Sequence, residues 1–336
     1  MTSAHGDEGQ DVLLQRLEGI AIKAAGLIDS DAPLSPRLLN HSENTTYLLS
    51  DASGNEQKIL RVHRTEYHSV NAIKSELTWI DALREDLGVH TPHILPDKNG
   101  DRMQLISTDE VPEGRQCVFF EYLEGEEPDE DNLLPAFPNL GEVTARMHQH
   151  ARHWTLPEGF ERFSWNVETA FGDNPHWGHW QNGPNLNDER NRLLDRMVAA
   201  MSVRLGRFGD SHDRYGLIHA DMRLANLLIH EGDTRVIDFD DSGITWYLYD
   251  LATALSFMED RPDVPELVAA WLEGYRRVEK ISQQEENEIP TFLMFRRMLI
   301  LAWMGTHAET DLAQSLGDAY TDVTCDLAET YLAEFG

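Results

Sequence analysis

The chain of 336 residues is short of cysteine, of cationic side chains and of long apolar runs, and each shortage closes off a class of protein. Its two cysteines, Cys117 and Cys325, stand far apart and match no metal-ligand spacing, so neither a disulfide framework nor a thiolate metal centre is encoded. Only 28 Lys and Arg oppose 59 Asp and Glu, a formal net charge of −31 at pH 7. A surface of that sign opposes phosphate backbones and argues against nucleic acid as a partner; it favours cationic ligands, or serves only solubility. The longest apolar stretch, LMFRRMLILAWMG, is broken by Arg296 and Arg297, too short on either side to span a bilayer. The opening MTSAHGDEGQ is polar and acidic, with no basic-then-apolar leader, and the expectation is a cytoplasmic protein with no membrane partner.

What is present changes texture along the chain. DVLLQRLEGIAIKAAG spaces Leu13, Leu17, Ile20 and Ala24 as a helix does. Between Leu38 and Leu123 come short runs suited to strands, TTYLLS, KILRVHR, RMQLIS and CVFFEYL, separated by SGN and KNGD turn signals. One helix interrupts them: VNAIKSELTWIDALRED puts Ile73, Leu77, Ile80 and Leu83 on one face, with Glu76 beside that stripe. From Asn139 onward the pattern is mostly helical, through LGEVTARMHQH, DERNRLLDRMVAAMSVRL, YDLATALSF, PELVAAWLEGYRRV and FLMFRRMLILAW. In the midst of these helices LIHAD, NLLIH and TRVIDF are extended, and EGD supplies a hairpin turn between the last two. The pattern predicts an α+β chain with a small sheet-rich part over 1–124, a hinge near Glu121 to Gly125, and a larger helical part over 125–336.

The extended stretch carries the chemistry. His219-x-Asp221 is followed five residues later by Asn226, and Asp238 comes twelve residues after that, in Asp-Phe-Asp. A carboxylate left among Leu, Ile, Val and Phe without a partner is costly, so something cationic is expected to meet these groups. A loop after LIH can present Asp221 and Asn226 together, and the hairpin can bring Asp238 back beside them. Oxygen ligands for Mg²⁺, here Asn226 and Asp238, with a carboxylate, Asp221, to orient and deprotonate a hydroxyl, are what phosphoryl transfer requires.

On these residues the sequence resembles the aminoglycoside phosphotransferase and choline kinase family, of protein-kinase-like fold. HADMRLANLLI is similar to the family's catalytic loop and VIDFDD to its metal-binding segment. The resemblance implies a bilobal fold, with a small antiparallel-sheet N-lobe, a larger mainly helical C-lobe, and ATP, or GTP in its place, used with Mg²⁺. It makes SENTTYLL the loop covering the nucleotide, with Ser42, Asn44 and Thr45, and Arg61 the phosphate-contacting cation held by Glu76. It makes CVFFEYLEG the hinge that meets adenine, through Glu121, Tyr122 and Leu123, while His219 and Asp250 support the catalytic loop. Three positions depart from the family: Arg61 replaces the usual lysine, Ala220 a common glycine, and Asp240 the glycine at the third position of the metal segment.

The resemblance further implies a small-molecule acceptor bearing a hydroxyl, and the acidic composition suggests a cationic, amine-bearing one. Trp177 and Trp180 fall where relatives insert acceptor-contacting elements, and Trp246 and Tyr247 follow the metal segment. Their rings could hold an ammonium by cation–π contact, with Asp240 and Asp241 nearby, or could glue the segments to the core. Two other readings stand beside this one: a bacterial stress-response-type Ser/Thr protein kinase, and a catalytically silent nucleotide-binding regulator suggested by Arg61. His148, His150 and His153 do not share one helical face, and His148 is expected to pack rather than bind metal.

Overall fold

Strand alternation and two amphipathic helices build the first part of the chain. The computed structural model describes residues 4–42 and 44–336. The chain divides into two compact units, one made of the residues up to Glu85 with Thr91–Glu124 and Gly159–Glu161, the other of Asp86–His90, Gly125–Glu158 and Arg162–Gly336.

In the first unit, α1 (Ala4–Ala25) precedes β1 (Ser35–His41), β2 (Thr45–Ser50) and β3 (Gln57–Val62). Then come α2 (Val70–Leu87), β4 (Ile94–Leu95), β5 (Gln104–Ile106) and β6 (Arg115–Glu121). Among the described residues these strands form one sheet in the order β1-β2-β3-β6-β4, with β5 also on β6, and every pairing is antiparallel. The period of two along each strand sorts the side chains. Tyr47 and Leu49, Leu60 and Val62, and Cys117 and Phe119 pack with Leu17, Ile20, Ala21 and Ala24 of α1 in one buried cluster. The same alternation turns Arg61 to the opposite face. Strand β1 eluded the sequence reading because it is mostly exposed and bulged between Leu38 and Asn40, so no apolar alternation marks it.

The second unit starts with α3 (Phe137–His153), β7 (Phe163–Ser164), α4 (Val167–Phe171) and α5 (Asp188–Phe208). It continues with β8 (Tyr215–Ile218), β9 (Leu227–His230), β10 (Asp233–Val236), β11 (Gly243–Trp246) and α6 (Tyr249–Ala254). It ends with α7 (Val264–Tyr275), α8 (Gln283–Glu286), α9 (Ile289–Thr306) and α10 (Asp311–Phe335). β9 and β10 form the expected hairpin: His230 pairs with Asp233, and Glu231 and Gly232, at φ 51° and 88°, make a two-residue turn with both central residues left-handed. Helices α3 and α7 approach so closely that a Cβ added at Gly141 would overlap the Trp271 carbonyl, and one at Gly274 the Pro138 carbonyl. Helix α9 is buried along nearly its whole length, including Arg296 and Arg297. No described helix is long and apolar enough to cross a membrane.

Candidate active site

The loop from His219 to Asn226 leaves β8 and turns sharply at Ala220, whose φ of 64° lies in the left-handed region that a Cβ disfavours. Its neighbours hold it there. The Asp250 carboxylate on α6 accepts the Ala220 N–H at 2.7 Å through Oδ1 and the His219 N–H at 3.3 Å through Oδ2. Behind Asp250 stands His148 of α3, fully buried, with Nε2 2.9 Å from Asp250 Oδ2 and Nδ1 3.0 Å from the Tyr275 hydroxyl. An ionised carboxylate only accepts, so Nε2 carries the proton and Nδ1 receives the Tyr275 O–H. Burial lowers the His148 pKa against the pull of Asp250 and keeps the ring neutral. His219 is fixed by the same logic: its Nδ1 accepts the Asp221 N–H at 3.2 Å, so its Nε2 donates to the Ile237 carbonyl at 3.1 Å. One imidazole thus ties the loop of Asp221 to the segment of Asp238.

Asp221 sits in a cage of donors. Oδ2 receives Asn226 Nδ2 at 2.7 Å and Arg223 Nε at 3.1 Å, and Oδ1 receives Arg296 Nη2 at 2.5 Å. Burial alone would raise its carboxyl, but the guanidiniums of Arg296 and Arg223 outweigh that and hold it below the usual carboxylate range. The side chain keeps 13% of its surface open, enough for a hydroxyl to reach it. Asn226 spends its amide group on Asp221, donating to the backbone carbonyl at 2.9 Å as well as to Oδ2, and among the described residues nothing donates to its Oδ1. The Ile237 N–H donates to the Asn226 carbonyl at 3.0 Å, setting Asp238 close by, with a left-handed φ of 61°.

The acidic residues after Asp238 are tethered by their backbones. Arg162 Nε donates to the Ser242 carbonyl at 2.6 Å and its Nη2 to the Asp240 carbonyl, while Trp165 Nε1 donates to the Asp241 carbonyl at 2.9 Å. Asp240 is buried and Asp241 half-buried. Trp180 is also buried, and Trp177 lies with its ring 5.6 Å from the Arg296 guanidinium and 4.9 Å from Trp165. Trp246 and Tyr247 are buried as well. Trp246 packs on Tyr215, Phe292 and Phe295 and donates Nε1 to the Gly209 carbonyl, and Tyr247 lies under Arg152 and against His148. Their ring faces are covered by protein because both side chains complete the core between β11 and the surrounding helices.

In the first unit, Arg61 Nη1 donates to Glu76 Oε1 at 2.6 Å, and Glu76 is fully buried. The guanidinium also lies 5.0 Å from the Phe120 ring centre. Of the loop residues, Ser42 donates its N–H to the Asn44 carbonyl, the Asn44 side chain accepts from the Arg64 N–H, and Thr45 Oγ1 is 2.8 Å from His41 Nδ1; Glu43 lies outside the described residues. Glu121 closes β6, its N–H bonded to the His93 carbonyl. Among the described residues, the backbone groups of Tyr122 and Leu123 make no hydrogen bond to the protein.

Three arginines escaped the reading of the sequence as site residues: Arg162, Arg223 and above all Arg296. The available signal was physical. Two guanidiniums inside an apolar helical run require buried carboxylates, and the chain supplies Asp221 for Arg296 and Glu259 for Arg297, the latter at 2.6 Å.

The sequence model of the phosphotransferase enzyme family matches residues 36–282. The chain belongs to that family, and it is a kinase that phosphorylates a hydroxyl group of a small molecule. Amicoumacin kinase of Bacillus subtilis (strain 168) is 26% identical over 279 residues, covering 79% of this chain and 78% of its own. Among solved structures, a microcompartment-associated aminopropanol kinase is 43% identical with a TM-score of 0.86, covering 95% of this chain and 98% of that one. An amicoumacin kinase solved with AMP-PNP, Ca²⁺ and Ami is 23% identical with a TM-score of 0.75, over 96% and 95% of the two chains, and shares the kinase-like fold.

Proposed function

We propose that this protein transfers the γ-phosphoryl group of ATP to the hydroxyl of a small amino alcohol, with Asp221 as the group that orients the hydroxyl and accepts its proton. The observation that carries the chemistry is the Asp221 carboxylate, kept ionised by Arg296 and Arg223 while a part of it stays open. The hydroxyl O–H bond breaks as its oxygen attacks the γ-phosphorus, the proton passes to Asp221, and the bond to the β-phosphate oxygen breaks to release ADP. Arg61, aimed by Glu76, is suited to fork the α- and β-phosphate oxygens. The unbonded backbone of Tyr122 and Leu123 is suited to an adenine edge.

Asn226 Oδ1 and the Asp238 carboxylate are hard oxygen donors, and two such ligands completed by phosphate and water fit Mg²⁺. When bound, the metal would neutralise phosphate charge. The likeness to an aminopropanol kinase supports an amino alcohol as acceptor.

A turnover screen with ATP and GTP tests the reading, run against amino alcohols, amino acids, neutral sugars, aminoglycosides and protein substrates. Aminopropanol or a close amino alcohol should be the best acceptor, and a neutral sugar in that place would sink the amine requirement. Asp221→Asn should bind ATP normally and lose 10²- to 10⁴-fold in kcat, on the order expected for a lost general base. Asp238→Ala should shift the Mg²⁺ titration of activity to higher concentration.

A further inference from the structure

Arg296 stands outside the catalytic loop in sequence, 75 residues on from Asp221, yet it makes the shortest hydrogen bond to that carboxylate. A carboxylate offers about four lone-pair positions, two on each oxygen. Both positions on Oδ2 are taken, by Asn226 and Arg223. On Oδ1 one is taken, by Arg296 Nη2, and one is left. The geometry points to Arg296 as a positioning residue that fixes Oδ1 as the oxygen receiving the acceptor's hydroxyl, with its guanidinium alongside the reacting oxygen.

The guanidinium is itself held on three sides, which is what positioning requires. Its Nε donates to Ser256 Oγ at 2.9 Å, its Nη1 lies 3.3 Å from the Tyr249 hydroxyl, and the Trp177 ring stands beside it. Ser256 Oγ is anchored in turn, donating to the Thr253 carbonyl at 2.7 Å. The side chain is only 4% exposed, so water cannot substitute for these contacts. A planar fork spanning Ser256, Tyr249 and Asp221 at once sets the carboxylate plane, a task an ammonium cannot share among three partners. As the hydroxyl oxygen gains negative charge in the transition state, the nearby cation favours it.

Arg297, the next residue, provides the internal comparison. It donates to Glu259, Thr324 and the Tyr320 carbonyl and, among the described residues, makes no hydrogen bond to Asp221.

This inference rests on Asp221 as the base, and the experiment separates the two. Steady-state kinetics with aminopropanol and ATP, melting curves, and ATP calorimetry are run on Arg296→Met, Arg296→Lys, Arg297→Met and Asp221→Asn. Arg296→Met should lose roughly 10²-fold in kcat, the scale of a misplaced reacting group, with ATP affinity within about twofold of the parent. Arg296→Lys should recover about tenfold of that loss, and added guanidinium ion should partly rescue Arg296→Met but not Arg297→Met. Arg297→Met should lower the melting temperature with kcat nearly unchanged. Wild-type kcat in Arg296→Met overturns the inference, as does a loss that neither lysine nor guanidinium reverses. If Arg296→Met does not fold, Arg296→Lys decides alone, and wild-type kcat there overturns it. Full turnover in Asp221→Asn would instead overturn the base assignment.

Discussion

Asp250 holds Ala220 in a left-handed conformation, its Oδ1 accepting the Ala220 N–H at 2.7 Å while φ stands at 64°. The strain of a Cβ there is about 1 kcal/mol, and the hydrogen bond to a buried charge offsets it. Asp250→Asn should release the loop, because an amide can present only one oxygen where His148, His219 and Ala220 all donate. We expect kcat to fall at least tenfold with ATP affinity intact, and Ala220→Gly to keep wild-type kcat. Parent-like kinetics in Asp250→Asn would count against this bracing role.

The Arg61–Glu76 pair is buried on both sides, so removing one partner leaves the other charge uncompensated, at a cost of about 3–5 kcal/mol. Arg61→Met should therefore lower the melting temperature as well as weaken ATP binding. The double variant Arg61→Met/Glu76→Leu should recover much of the stability and none of the ATP affinity. Calorimetry showing undiminished affinity in either variant would remove Arg61 from the phosphate site.

His148 links pH to stability. Its folded pKa lies below the unfolded value near 6.5, so the unfolded chain binds more protons between the two. Its contribution is complete above about pH 6.5 and is lost as pH falls from there towards the folded pKa. Melting temperatures from pH 7.5 to 5 should therefore decline, and His148→Gln, though less stable at neutral pH, should decline less steeply. Parallel slopes would show that His148 does not titrate on unfolding.

Gly141 and Gly274 mark the closest approach of α3 and α7, where a methyl group would meet backbone rather than a flexible side chain. Gly274→Ala should cost about 1–3 kcal/mol, typical of overpacking. Since α3 carries His148 to Asp250, some loss of kcat should accompany the loss of stability. Thermal unfolding that matches the parent would show that the helices can part freely.

Most of the fold was legible wherever local periodicity agrees with tertiary burial. β2, β3, β6 and helices α1, α2, α5, α7 and α9 all follow such patterns. β1 did not show because its side chains are mostly exposed, and α10 because its apolar positions are sparse and Gly317 kinks it. The nearness of Asp221 to Asn226, and of Asn226 to Ile237 beside Asp238, could be read because one loop and one hairpin bring these residues together over a short span. Arg296 could not, since its tie to Asp221 depends on how α9 packs, which no local spacing encodes. Trp246 and Tyr247 could be read either way, because an aromatic beside a motif looks the same in a core as at a ligand.

Consecutive residues on a helix point about 100° apart, so α9 sends one guanidinium to Asp221 and the next to Glu259, Thr324 and Tyr320. A single peptide unit therefore joins the Asp221 cage to α10, a helix that among the described residues contributes no side chain to that cage. The two neighbouring side chains thus divide their duties: Arg297 fastens α9 to Thr324 and Tyr320 of α10, so changes there are read as stability, while Arg296 alone of the pair reaches the Asp221 carboxylate.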